Sequence, residues 1–568
     1  MLPPKSNGRF PTHEAEPSER ATRRGWYAAV MADGVHAVQT VFLVLLVFVA
    51  GFALVARWLK VSYPIVLVVA GLLVSFVPHV PRIPLNPSLV FLIFLPPLLY
   101  ASAWETSWRE FRYNAVTIAM LAVGLVAFTV WGVAEFSDRF ITAMDWKAGF
   151  VLGAVVAATD AIAATSIARS LGLPRRIVDI LEGESLLNDA TGLLALEFGL
   201  RLMTQGETPS FGAGIARLLY LTVVGTAVGL VAGFIVSKVS LLIDDDGPVE
   251  IVLSLVAPYA AYLAGDAVHA SGVFSVVVCG LYVSRKSSTL FAPGARLQIL
   301  AVWEALTFIM NGIVFVLIGL QMPFVLAAIR GQFGWGTLLE YGLAFSGLLI
   351  VLRLVWMYPA SWLAHVIQKK VLGHPEPWPG AKSIFVIGWT GMRGVLALAA
   401  AISLPETMAD GRPLESRNLI VFLAFSVILV TLVFQGLTLP PLIRWLGLAK
   451  AKGMDAEERQ ARRVGLAAAI RQLEQGKDRD GERFEHVYDD LLHRYKHRLS
   501  AVGGEEGDEE EFDAATYGRL KEIAAGAVRA ERREAIRMRN EGLISDDTLR
   551  KLEREMDLQE TRYLGAGE

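Results

Sequence analysis

Cysteine is almost missing from this sequence: Cys279 stands alone among 568 residues, inside an apolar run. A single thiol excludes a disulfide framework and a cysteine-based metal centre, and it reads as a small buried hydrophobe. Charge is scarce too. Asp, Glu, Lys and Arg make up 19% of the chain, against about 25% in a typical soluble protein. That excludes a disordered chain and argues against a soluble enzyme. The net charge is −2 and no basic cluster is present, so no nucleic-acid partner is expected. The apolar runs hold no HExxH-type motif and no nucleophile–base set, which argues against a membrane hydrolase or protease. No loop resembles a channel filter. Asp244-Asp245-Asp246-Gly247 is too short for a calcium loop and reads as a solvated turn.

Hydrophobic residues, in contrast, reach 54%. A membrane-spanning helix needs about 20 mostly apolar residues. Thirteen such runs are readable, at roughly 37–56, 62–78, 88–104, 115–135, 146–168, 180–200, 214–237, 250–265, 270–284, 298–320, 337–363, 383–404 and 418–440. The first lies too far from the N-terminus, and lacks the small-residue cleavage site, to be a signal peptide. The expected class is therefore an all-α polytopic membrane protein. It divides into an N-terminal tail (1–36), a membrane domain (37–445) and a charged helical tail (446–568) of possible regulatory role. Residues 450–568 carry 51 of the chain's charged side chains, and the first 449 residues carry 57. The tail is expected to form short amphipathic helices broken by the acidic stretch Glu505 to Asp513. A helix pair is expected at 529–540 and 546–563, with Ser545 as an N-cap.

Loop charge sets orientation, because cytoplasmic loops carry excess Lys and Arg. Loops after odd-numbered spans hold 14 basic residues and those after even-numbered spans hold 8. The odd-side loops and the C-terminal tail are thus expected in the cytoplasm and the N-terminus outside. Lys5, Arg9, Arg20, Arg23 and Arg24 in the N-terminal tail run against this bias: either they form a short translocated arm with the nearby glutamates, or the span count is off by one.

Ionisable residues inside spans cost several kcal/mol and mark function by default. Thr159-Asp160 interrupts span 5. Span 6 carries Glu184-Ser185-Leu186-Leu187-Asn188-Asp189. Glu184 and Asn188 are four apart, as are Ser185 and Asp189, so each pair shares a helical face. From a helix start near 180, Asp189 lies roughly 14 Å along, near the middle of a ~30 Å core. Ser185 and Asp189 offer a hydroxyl and a carboxylate to one point, the oxygen set that hard cations require. Two arginines are also buried in spans: Arg353 in span 11 and Arg393 in Gly391-Met392-Arg393-Gly394 of span 12. Each needs a partner, with a bidentate carboxylate as the natural one. Asp160, Glu184, Asp189, Glu197, Glu304 and Asp266 are the candidates.

Spans 1–6 and 8–13 fit two inverted six-helix repeats with span 7 as linker. Spans 5 and 12 then correspond, and both are interrupted, the second by Gly388, Gly391 and Gly394. Interrupted helices at matching repeat positions point to a midplane ion site. Asp160 and Arg393 would neutralise the opposing half-helix dipoles there.

These residues, in this order, resemble cation:proton antiporter family 1, the bacterial NhaP-like and animal sodium/proton exchangers. Phe94-Leu95-Pro96-Pro97-Leu98-Leu99, Asn311-Gly312 and Gly319-Leu320-Gln321 are similar to the same family. Ala530-Glu531-Arg532-Arg533 through Asp557 resembles its long-tailed bacterial subgroup. The resemblance implies 13 helices divided between a dimerisation domain and a moving core. In that family Asp189 would take cation or proton in turn, and Asp160, Thr159 and Ser185 would complete a sodium shell. Glu184 would pair with Arg353, Asn188 would support that pair, and Arg393 would stabilise the broken span 12. Asn188 in place of a second aspartate resembles the electroneutral type. Some archaeal relatives place a carboxylate just after the double proline. Here Tyr100, Ala101 and Ser102 follow, and Glu105 lies nearer the surface. The implied protein is not an enzyme and has no cofactor. It would be a homodimer in the bacterial inner membrane exchanging Na+ for H+, with Li+, K+, a cation channel or a membrane sensor as alternatives.

Overall fold

The structure is a computed structural model. It describes residues 40–564 apart from 41, 78–86, 205–210, 244–245, 372, 374–377, 408–412, 450–455, 481–483, 503–513 and 542. The expected N-terminal tail 1–36, the first half of the Asp244 turn and the acidic stretch lie outside the described residues. The chain forms two compact units, Met1–Ala451 and Lys452–Glu568.

Among its described residues the first unit is built of helices joined by short turns and loops, with one isolated bridge between Thr407 and Pro413. Its elements are α1 (Phe42–Leu59), then α2 (Tyr63–Ser75), α3 (Pro87–Glu105), α4 (Trp108–Tyr113), α5 (Ala115–Phe140), α6 (Trp146–Ala157), α7 (Ile162–Ser170) and α8 (Arg175–Thr204). There follow α9 (Phe211–Ser240), α10 (Gly247–Ala267), α11 (Gly272–Leu290), α12 (Pro293–Leu320), α13 (Met322–Ile329), α14 (Trp335–Lys370), α15 (Ala381–Trp389), α16 (Val395–Ile402) and α17 (Arg417–Trp445). Among the described residues, nine helical segments are long and apolar enough to cross a membrane. The others fall short for readable reasons. The helix α2 has 13 residues, α11 ends in the polar run Arg285 to Thr289, span 12 is split into α15 and α16, and α8 carries Asp179, Glu182, Glu184, Asp189 and Glu197.

Local chemistry explains the boundaries. Asp145 caps α6 by accepting from Ala148 N at 2.8 Å, and Ser271 caps α11 through Phe274 N at 3.2 Å. In α3, Pro96 and Pro97 remove two helical donors. A π-turn at Val90–Phe94 precedes them. The Ile93 carbonyl, which Pro97 cannot serve, accepts instead from the Tyr259 hydroxyl at 3.0 Å. Close packing relies on glycine where helices meet. Gly225, Gly229 and Gly233 line one face of α9 against α11. A Cβ at 233 would stand 2.9 Å from the Tyr282 ring.

Two apolar clusters form within this unit. One gathers α3 and α9–α11 with parts of α8 and α12, and it includes Leu99, Ala103, Ala261 and Val276. The other gathers α5–α7 and α14–α17 together with α1, α2, α13 and parts of α8 and α12, and it includes Val133, Val151, Ala164, Leu349 and Leu398.

The second unit holds α18 (Ala456–Asp480), α19 (Glu485–Val502), α20 (Ala514–Asn540) and α21 (Asp546–Leu564). These helices are longer than the short segments read from the sequence. Ser545 accepts from Thr548 N at 3.2 Å and so caps α21. Val528, Ala535, Leu549 and Met556 form the seam of the α20–α21 hairpin. Arg532 joins Asp557 and Glu560 across its outside, at 2.6 and 2.9 Å.

Candidate ion-translocation site

Two broken helices meet at the site. The first break separates α6 from α7 at Ala158–Ala161, and the second separates α15 from α16 at Thr390–Gly394. They touch: the Asp160 amide donates to the Met392 carbonyl at 2.9 Å. Four half-helix ends therefore converge, two presenting carbonyls and two presenting amides.

Each set of ends faces a side chain of opposite sign. Arg393 Nε donates to Val156 O in the last turn of α6 at 3.1 Å, and its Nη1 donates to Gly391 O just beyond α15. Asp160 Oδ1 accepts from Ile162 N, the first residue of α7, at 2.8 Å. Its side chain also lies against Gly394, the residue before α16. A Cβ at 394 would stand 2.7 Å from Asp160 Cβ, and one at 391 would stand 2.8 Å from Arg353 Nε. Only glycine lets the second break approach Asp160 and Arg353 this closely.

Helix α8 runs beside the breaks. It starts at Arg175, earlier than the apolar run alone suggests. Asp189 is then about 21 Å along a helix of roughly 45 Å, close to its midpoint. Thr159, Asp160, Ser185 and Asp189 line one cavity of about 70 Å³, with apolar Leu98 and Val395 on its walls. Ser185 Oγ accepts from Ala161 N at 3.4 Å. The cavity is thus mostly apolar, lined by two carboxylates and the Ser185 hydroxyl, an oxygen donor set suited to a hard cation, while the Thr159 hydroxyl is engaged by Glu184 and Asn188.

Behind it lies a hydrogen-bonded chain. Arg353 Nη1 and Nη2 donate to Glu184 Oε1 and Oε2 at 2.5 and 2.8 Å, with the two side chains 2% and 1% exposed. Arg353 Nη2 also reaches Ile387 O at 3.2 Å. Thr159 Oγ1 donates to Glu184 Oε1 at 2.9 Å, and Asn188 Nδ2 donates to Thr159 Oγ1 at 2.6 Å. The remaining candidate carboxylates stand elsewhere. Glu197 takes Arg201 at 2.7 Å, and Glu304 and Asp266 are exposed.

Sequence reading missed several members. The Thr431 hydroxyl accepts from the Arg393 amide at 3.2 Å, and the Met392 carbonyl joins the breaks. Neither leaves a signal in an apolar run. A larger cavity of about 240 Å³ continues from Ser185 and Ser102 to Arg169, Glu105 and Glu182. On the other side of Asp189 a cavity of only about 10 Å³ is walled by Ala154, Leu196 and Ala400.

Residues 43–445 match the family model described as "Sodium/hydrogen exchanger, transmembrane". An uncharacterized Na+/H+ exchanger of Mycobacterium tuberculosis is 34% identical over 516 residues, 89% of this chain and 92% of its own. A sodium, potassium, lithium and rubidium/H+ antiporter of Bacillus pumilus is 31% identical over 476 residues, 81% of this chain and 69% of its own. A solved sodium proton antiporter of Methanocaldococcus jannaschii has the same fold. It aligns with a TM-score of 0.52 at 18% identity, covering 74% of this chain and 100% of that one.

Proposed function

Because the chain belongs to the transmembrane sodium/hydrogen exchanger family, whose members are multi-pass antiporters of monovalent cations and protons, we propose that Asp189 is its exchanging carboxylate. Asp160, Ser185 and Thr159 complete the shell that binds Na+. The observation that carries this reading is the cavity that these four residues share, at the crossing of two broken helices. A carboxylate binds either a proton or a cation, so emptying one loads the other and exchange is obligatory. Glu184, Arg353 and Asn188 hold Thr159 and α8 in register, and Arg393 holds the α6 and α15 ends.

In this reading 13 spans form two inverted repeats, and the chain is a homodimer of the bacterial inner membrane with the α18–α21 tail in the cytoplasm. Alternating access carries the loaded site between faces around a fixed geometry. Exchange is electroneutral, one cation per proton, and no cofactor takes part. The experiment is proton flux in proteoliposomes against Na+, Li+ and K+ across pH. Sodium-driven proton release that disappears in Asp189→Asn supports the assignment. Proton-free sodium conductance would identify a channel instead.

A further inference from the structure

The cavity beside the ion site is asymmetric, and one ion pair spans its open side. Arg169 lies at the end of α7, whose Ala163, Ala164, Ile167 and Ala168 belong to the larger apolar cluster. Glu105 ends α3, whose Leu95, Leu99 and Ala103 belong to the other cluster. Arg169 Nη1 lies 2.8 Å from Glu105 Oε2, and Nη2 lies 2.6 Å from Glu182 Oε1 on α8. The Arg169 and Glu105 side chains are 51% and 57% exposed, so the cavity reaches solvent at this mouth. Asp179, Glu110 and Arg175 add to the field around it. On the opposite face the corresponding pair is longer. Arg217 of α9 is held by the His269 carbonyl at 3.1 Å and stands 3.8 Å from Glu197 of α8.

We propose that the Arg169–Glu105 ion pair is a latch that holds the ion site open to the face carrying Glu105, making both residues positioning residues for exchange. The argument is thermodynamic. A contact present in one of two states stabilises that state, and its removal shifts the population away from it. In the observed state the ion cavity continues past Ser185 to Glu105 and Arg169, and it is closed beyond Asp189 by Leu196 and Ala400. Turning the site to the other face requires α7 to move against α3. Arg169 then leaves Glu105 while keeping Glu182, which lies on its own side of the boundary. This device rests on the alternating-access reading above.

The test is thiol labelling in vesicles of known orientation, with a reagent that does not cross membranes. Cys279 is buried and supplies only a baseline. Ser166→Cys reports the face with the open cavity, and Ala400→Cys reports the closed side. Glu105→Gln, which leaves Arg169 on Glu182, is expected to slow labelling at residue 166 from the Glu105 face by about two- to fivefold, the range for a partly exposed ion pair. Labelling at residue 400 from the opposite face rises correspondingly. Arg169→Gln acts in the same direction. Unchanged labelling overturns the latch, and so does faster labelling at both positions, which would mean local loosening. Should a cysteine variant fold poorly, the ratio of cation KM values measured from the two faces gives the same answer in Glu105→Gln alone. That ratio rises on the Glu105 face if the latch exists. The labelling does not depend on which ion moves: retained exchange in Asp189→Asn would defeat the functional reading while leaving the latch to stand or fall separately.

Discussion

The backbone amide of Asp160 donates to the carbonyl of Met392 at 2.9 Å, fastening the two interrupted helices to each other at their breaks. A backbone group freed by one interruption is thereby satisfied by the other. Unpaired backbone groups at membrane depth cost several kcal/mol, so each break is tolerable only in the presence of its partner. The same contact fixes the Asp160 side chain beside the α7 amides and the shared cavity.

Asp189→Asn and Asp160→Asn are each expected to abolish cation-driven proton movement in everted vesicles while leaving the protein folded. Asparagine keeps the shape, and at residue 160 it still accepts from Ile162 N as a helix cap. What disappears is the charge that a cation requires. Wild-type exchange in Asp189→Asn would remove it from the mechanism.

Glu184→Ala and Arg353→Ala are expected to fail in folding before they fail in ion binding. Each leaves the partner charge buried, since the two side chains are 1% and 2% exposed. Breaking such a pair from one side typically costs about 3–5 kcal/mol, whereas replacing both partners by apolar groups is far milder. Thermal unfolding of the purified protein should show a large drop for each single variant and a partial recovery for Glu184→Leu/Arg353→Met. Normal melting of both single variants would contradict the structural role of the pair.

Gly394→Ala separates packing from chemistry. Its methyl group would meet Asp160 Cβ at 2.7 Å, so one of the two breaks must shift. Overpacking of this kind costs about 1–3 kcal/mol. Exchange should fall much further than stability does, because the displaced side chain is Asp160 itself. Equal, modest losses in both assays would mean that the cavity tolerates the shift.

The charges inside the apolar runs were legible because a buried charge is expensive and rarely incidental. Asp160, Glu184, Asp189, Arg353 and Arg393 could all be singled out that way, and the glycines of Gly391-Met392-Arg393-Gly394 announced a break. Thr431 could not be singled out: a hydroxyl inside Leu- and Val-rich α17 hardly changes hydropathy, and its partner is 38 residues away. Arg169 and Glu182 could not be paired from the sequence: Arg169 stands near the exposed end of α7, whereas Glu182 lies two turns into α8 and is 9% exposed. Their pairing depends on how α7 turns back into α8. The start of α8 was read late for a related reason. Arg175, Arg176 and Asp179 ended the apolar run while the backbone continued as helix. In the tail, α18 and α20 are long although their apolar positions are sparse, so periodicity marked their existence better than their length.

Exchange by the wild-type protein is expected to be indifferent to membrane voltage, and Asn188 is the reason. Its Nδ2 donates to Thr159 Oγ1 at 2.6 Å, and Thr159 in turn donates to Glu184. The position beside Asp189 is therefore occupied by a neutral donor with a structural task. With Glu184 committed to Arg353, a transport cycle that exchanges one proton for one monovalent cation moves no net charge. Proton flux in proteoliposomes, driven by a sodium gradient and measured with and without a clamped potential, should give the same rate. Asn188→Asp replaces the donor to Thr159 with an acceptor and sets a carboxylate near Glu184. A buried polar group left unpaired costs about 1–3 kcal/mol, so this variant should melt earlier without gaining activity. Acceleration of wild-type exchange by an imposed potential would show that a second charge travels with the site.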